Sequence, residues 1–129
     1  VEDVVKMGVD AEQIVKTLLV RSVFKRGLKF EEDFVACALR GGDRLNFKKA
    51  KKIFGTKSDL ATPQEVLKVV GIPVGAVCPI QIGKPVYVDK RVLKLKNTNL
   101  GSGDLTKGLD MTLDNLLKAV GEYKIVDLV

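Results

Sequence analysis

The chain has 129 residues, 46% of them hydrophobic, and carries 22 basic against 16 acidic side chains for a net charge of +6. That is one domain with enough apolar side chains for a core of its own, and no run approaches the ~20 apolar residues of a membrane-spanning helix. Histidine is absent, which excludes Ser-His and Cys-His nucleophile pairs, histidine general bases and nearly every zinc-hydrolase design.

Residues 1–7 place Val1, Val4 and Val5 at helical spacing before Gly8, and residues 11–15 read as a further helical turn. Residues 16–23 form a strand pattern in which Lys16 interrupts the apolar run Ile14-Val15-Lys16-Thr17-Leu18-Leu19-Val20. Lysine is rarely buried without a partner. It either snorkels to water at the strand's mouth or serves a chemical purpose, and spacing leaves both open. Polar residues 24–32 with Gly27 read as a loop or hairpin leading back to a strand over 33–39. In that strand Cys37 is a small core residue.

After the turn at Arg40-Gly41-Gly42-Asp43-Arg44, Asn46 is placed to cap a helix over Phe47–Phe54, with Gly55 as its stop. Phe47, Ala50, Ile53 and Phe54 share one face of that helix, while Lys48, Lys49, Lys51 and Lys52 occupy the others. The lysines are first a solvated face and second a candidate RNA contact. A short strand over 58–61 precedes Thr62-Pro63-Gln64-Glu65, a capping-box helix start, and that helix ends at Gly71. The apolar loop Ile72-Pro73-Val74-Gly75-Ala76-Val77-Cys78-Pro79 suggests a pocket wall, since loops are ordinarily polar and exposed. Strands are expected over Val86–Asp89, 92–100 and 107–111. Thr112 caps a last helix ending at Gly121, and 125–128 closes as a strand. The order predicts a mixed α/β (α+β) domain with many strands joined by turns.

Few motifs carry chemistry. Gly101-Ser102-Gly103 lacks the third glycine of a dinucleotide loop, because Thr106 stands there, and reads as a hairpin turn. The aspartates Asp43, Asp89, Asp104 and Asp110 show no paired-carboxylate spacing. Cys78 has no basic partner nearby in sequence to activate it. No metal site and no cofactor is expected, and with no basic region followed by an apolar run at the start, the chain reads as cytoplasmic.

Taken together, Val15-Lys16-Thr17-Leu18-Leu19, the segment ACALRGGDRLNFKKAKKIFG, the loop GIPVGAVCP, Val86-Tyr87-Val88-Asp89, Gly101-Ser102-Gly103 and Gly108-Leu109-Asp110 resemble the YbaK/ProX family of aminoacyl-tRNA editing domains. The resemblance covers essentially the whole chain, which starts after the helix and strand with which members usually begin. It implies a mixed, largely antiparallel sheet curled toward a barrel, with helices around it. It also implies hydrolysis of the ester joining a wrong amino acid, most often alanine or cysteine, to tRNA(Pro). The family's lysine falls on Lys16, its pocket glycine on Gly75, its glycine-rich turn on Gly101, Ser102 and Gly103, and its acidic residue on Asp110. Cys78 stands where members often have serine.

An aminoacyl ester is already activated, so such an enzyme needs a sized pocket, oxyanion donors and a positioned water. The backbone amides of Gly75 and Ala76 are the expected donors. Val74, Val77 and Cys78, with Ile72 and Ile80, are the expected wall. Lys16 holds the terminal ribose or phosphate or stabilises the oxyanion, and a ribose hydroxyl or another substrate group accepts the proton. The partners implied are the acceptor end of an aminoacyl-tRNA and prolyl-tRNA synthetase, with no membrane. The rival readings are a catalytically silent tRNA- or synthetase-binding module of the same fold, and a small-molecule binding domain.

Overall fold

The computed structural model describes residues 13–54, 57–73, 76–101 and 108–129. The helix expected over residues 1–7 lies outside them. Strands β1 (Val15–Arg26) and β2 (Lys29–Arg40) pair antiparallel over their full 12 residues, from Val15↔Arg40 to Arg26↔Lys29. Of the loop or hairpin expected over 24–32, the hairpin is found, its turn only two residues, 27 and 28, with Gly27 at φ 64°, a backbone state glycine enters without steric penalty. The distal strand ends look loop-like in sequence because both faces meet water there and ladder hydrogen bonds hold them, together with Arg21–Glu32 at 2.7 Å.

β3 (Lys57–Leu60) joins β1 antiparallel, β4 (Val86–Asp89) joins β2 parallel, and β7 (Lys124–Val126) joins β4 parallel. The result is a five-stranded mixed sheet of order β3-β1-β2-β4-β7. β5 (Asn97–Gly101) and β6 (Gly108–Thr112) form a separate two-stranded antiparallel ribbon, as the hairpin reading of Gly101-Ser102-Gly103 expects, and the ribbon meets β1 through a parallel bridge, Ile14↔Asn99. The expected curl into a barrel is not found: the sheet is open. Closure needs strands long and tilted enough to meet across the gap, whereas β3 and β7 have 4 and 3 residues, and β5 and β6 pair with each other.

Side-chain alternation gives the sheet two buried faces. On one, Val20, Val35, Cys37 and Leu39 pack with Ala50 of α1 (Phe47–Phe54) and with Leu128. On the other, Val15, Ala36, Ala38, Val86 and Val88 pack with Leu116 of α3 (Leu113–Val120), while Leu19 packs with Val66 of α2 (Pro63–Val70). The helix starts behave as their residues dictate. Asn46 accepts from the amides of Lys48 and Lys49, Thr62 and Glu65 form a reciprocal capping box, and Thr112 accepts from the Asn115 amide. Gly71 ends α2 at φ 74°. As expected, Cys37 is fully buried, and burial pushes its thiol up to about 12.

One expected strand is corrected. Residues 92–100 do not run straight; Lys90–Lys94 is a 3₁₀ helix and only Asn97–Gly101 is strand. Val92 and Leu95 turn inward while Leu93 and Lys94 stay exposed, a period of three that mimics strand alternation over so few residues. The cause is Asp89, whose carboxylate caps the turn by accepting from the Arg91 amide at 3.0 Å.

Asp89 is fully buried. It also accepts from the Leu128 amide at 2.8 Å and from the Arg91 guanidinium at 3.2 Å. Arg91 continues to Asp127 at 2.9 Å, which Lys49 of α1 reaches at 3.0 Å. Arg91 and Lys49 hold the Asp127 carboxyl far below the usual carboxylate range. Residues 127–129 are thereby stitched between β4 and α1.

Asp89→Ala leaves the buried Leu128 amide without an acceptor, and is expected to destabilise the fold by about 2 kcal/mol, read as a lower denaturation midpoint at unchanged slope. Because the Asp127 carboxyl is depressed, its contribution is complete above the unfolded carboxylate pKa of about 3.9 and is lost as pH falls toward its folded value. Asp127→Asn is expected to flatten the acid limb of the stability–pH curve; an unchanged limb would show that the ion pairs contribute nothing.

Candidate functional site

Lys16 is the second residue of β1, opposite Leu39, and half-buried. Its ammonium donates to the Asp43 carbonyl in the turn after β2, while the Asp43 carboxylate accepts from Arg40 at 2.8 Å. Burial lowers the Lys16 pKa, Asp43 raises it in part, and the neighbouring Arg44 lowers it further. Strand alternation places Lys16 on the α1 face of the sheet, with Leu18 and Val20.

The apolar loop lies on the other face. Val77 is buried against Leu19, Ala61 and Val66. Ala76 is fully buried, and its amide donates to the Pro73 carbonyl at 2.9 Å. That N–H, expected from the sequence as an oxyanion donor, is thus engaged within the protein. Val74 and Gly75 lie outside the described residues. Cys78, half-buried, lines a cavity of about 240 Å³ with Ile72, Ile80, Ile82 and Leu109. Burial raises its thiol above the ordinary value, and a backbone hydrogen bond involving Ile80 offsets this in part. A thiol so placed is a wall and not an activated nucleophile.

The ribbon carries the remaining candidates. Gly101 ends β5 opposite Gly108, and Ser102 and Gly103 lie outside the described residues. Asp110, exposed on β6, accepts from Asn99 Nδ2 at 2.6 Å across the ribbon. Its neighbour Leu109 closes the cavity. The ribbon thus touches both sides of the arrangement: it walls the cavity through Leu109, and through Ile14↔Asn99 it meets β1 two residues ahead of Lys16. The structure brings Cys78 to the cavity beside the Asp110 strand, and leaves Lys16 outside the cavity's lining.

Asn99 is the residue that sequence reasoning missed. It is 4% exposed, and its carboxamide orientation is fixed, because a carboxylate accepts only from the NH₂ end. Its Oδ1 is left buried without a donor, facing the Gly108 Cα, where an added Cβ would stand 2.9 Å away. The signal available was the polar triplet Asn97-Thr98-Asn99 inside a strand, which needs partners wherever it is buried. Thr98 has one, donating to the Met111 carbonyl at 3.0 Å. Among the described residues no group of three His, Cys, Asp or Glu side chains could hold a metal ion, and no helix is long and apolar enough to cross a membrane.

With fold and site in place, the chain compares closely with known proteins. The aminoacyl-tRNA editing domain family matches residues 1–119, and the chain belongs to that family. It is 34% identical over 103 residues to a proline–tRNA ligase of Legionella pneumophila, covering 78% of this chain and 17% of the ligase. It is 30% identical over 127 residues to the proline–tRNA ligase of a Sulfurihydrogenibium species, covering 97% and 21%. The chain therefore spans about a fifth of the length of these ligases. A solved structure described as a candidate trans-editing enzyme for prolyl-tRNA synthetase superposes with a TM-score of 0.78 at 27% identity, covering 98% of this chain and 76% of that structure's chain.

Gly108→Ala drives a methyl into the Asn99 carboxamide and is expected to destabilise the fold by about 1–3 kcal/mol. Asn99→Ala removes the obstacle, so the double variant should lose clearly less than the sum of the two single losses in a denaturation cycle. Strict additivity would show that the two residues do not press on each other.

Proposed function

We propose that this chain is an editing hydrolase that cleaves the ester between a mischarged amino acid, of the cysteine or alanine class, and tRNA(Pro). The observation that carries the reading is the cavity behind the apolar loop. At about 240 Å³ it is smaller than the roughly 300–1,000 Å³ of ordinary ligand pockets, and its Ile72, Cys78, Ile80, Ile82 and Leu109 walls suit a small side chain. Discrimination there is by shape, since one methylene is worth only ~1–3 kcal/mol.

In this reading the amino-acid side chain enters between Ile72 and Leu109, and the terminal nucleotide runs past the ribbon toward the start of β1. Lys16 then meets the ribose or phosphate and not the ester, in keeping with its place on the other face of the sheet. Water adds to the ester carbonyl carbon, the bond to the ribose oxygen breaks, and the proton from water passes to that oxygen through the neighbouring ribose hydroxyl. The protein holds the parts in place, and the substrate supplies the proton carrier. Membership of the editing-domain family and the likeness to the candidate trans-editing enzyme support the reaction class.

The test is deacylation of a panel of aminoacyl-tRNAs. Cysteinyl- or alanyl-tRNA(Pro) should be cleaved well above the buffer rate, and prolyl-tRNA(Pro) should not. Lys16→Ala, which removes a charged contact worth about 1.5–3 kcal/mol, should lower kcat/KM by about 10- to 150-fold, chiefly through KM. Tight, salt-sensitive tRNA binding without turnover would instead identify a silent binding module.

The pH profile adds a second check. Lys16 acts as a cation, so activity is present below its lowered pKa and is lost as pH rises through it. Removing Arg44 lifts one of the causes of that lowering. Arg44→Ala is expected to move the alkaline limb to higher pH, and a limb unmoved by this change would argue against Lys16 as its source.

A further inference from the structure

We propose that the exposed face of α1, continued by Arg44 and Lys16, is the surface that grips the phosphate backbone of the RNA substrate. The inference rests on the reading that the substrate is a tRNA, and it assigns that substrate a path over the protein. Lys48, Lys51 and Lys52 stand three and four residues apart, on one side of a helix whose opposite side buries Ala50. All three are exposed, and among the described residues none of them makes an ion pair, whereas Lys49 is taken up by Asp127. The first turn of α1 holds no acidic side chain.

For the helix by itself this is a poor arrangement. Like charges at these spacings repel, and Lys48 sits near the positive end of the helix dipole. A polyanion would relieve both. The positive surface also leads somewhere. The turn before α1 carries Arg44, and the Asp43 carbonyl in that turn accepts from Lys16, so the helix stripe and the site lysine lie on one face of the sheet. The chain has five Phe, two Tyr and no Trp, which suits grip on phosphates better than stacking of successive bases.

The experiment measures affinity of the full chain for unacylated tRNA(Pro) across a salt series. The variant Lys48→Gln/Lys51→Gln/Lys52→Gln is compared with Lys68→Gln/Lys118→Gln/Lys124→Gln, which removes the same charge from exposed lysines elsewhere. The α1 triple should weaken binding at least tenfold and reduce the slope of log K against log salt by about 2–3, as loss of three phosphate contacts requires. The second triple should change affinity less than twofold. Equal losses in both variants, or no loss in the α1 triple, would overturn the proposal. Because binding is read without turnover, a wild type that grips tRNA yet cleaves no ester would sink the hydrolase reading and leave this surface standing.

Discussion

The antiparallel pairing of β1 with β2 is the constraint on which the rest depends. Its 12-residue register, closed by the turn at Gly27, decides which side of the sheet each side chain takes. A slip of one residue would exchange the two faces. With the register as it is, Val20, Cys37 and Leu39 face α1 and the C-terminal segment, while Val15, Ala36 and Ala38 face α3. Lys16 follows the first set. β3, β4 and β7 add to this pair, and the apolar loop packs on the face opposite Lys16 through Val77 and Leu19.

A second constraint is the buried carboxylate of Asp89. It ends β4, turns the chain into the 3₁₀ helix and receives the Leu128 amide. A buried charge is tolerated only when its oxygens are satisfied, and here both are, by Arg91 and the backbone. That requirement holds the C-terminal segment against α1, where Asn46 also donates to the Leu128 carbonyl at 2.6 Å.

Much of the fold was legible where the signals are local. Asn46, Thr62 and Thr112 cap the helices predicted from them, and Gly71 and Gly121 end two of those helices, because capping is settled within a few residues of sequence. The strand over Val86–Asp89 was equally plain. What sequence could not show depended on distant partners. The hairpin's polar ends are held by ladder bonds that no side-chain pattern advertises. The 3₁₀ turn after Asp89 imitates strand alternation, and the open sheet follows from β5 and β6 pairing with each other. At the site, the wall residues Ile72, Cys78 and Ile80 were legible as an apolar loop. That Lys16 lies across the sheet from them, that the Ala76 amide is spent on Pro73, and that Asn99 hides an unpaired oxygen all required the packing.

The two-faced sheet has a consequence for how such a protein can change. Side chains that share no neighbours and stand well apart contribute to free energy independently. Ile72 and Ile80 border one side of the sheet, Lys48 and Lys52 the other, and no hydrogen bond or ion pair among the described residues joins the two groups. The cavity wall is therefore free to vary without disturbing the positive surface, and the lysines can change without reshaping the cavity, because the sheet stands between them as a partition.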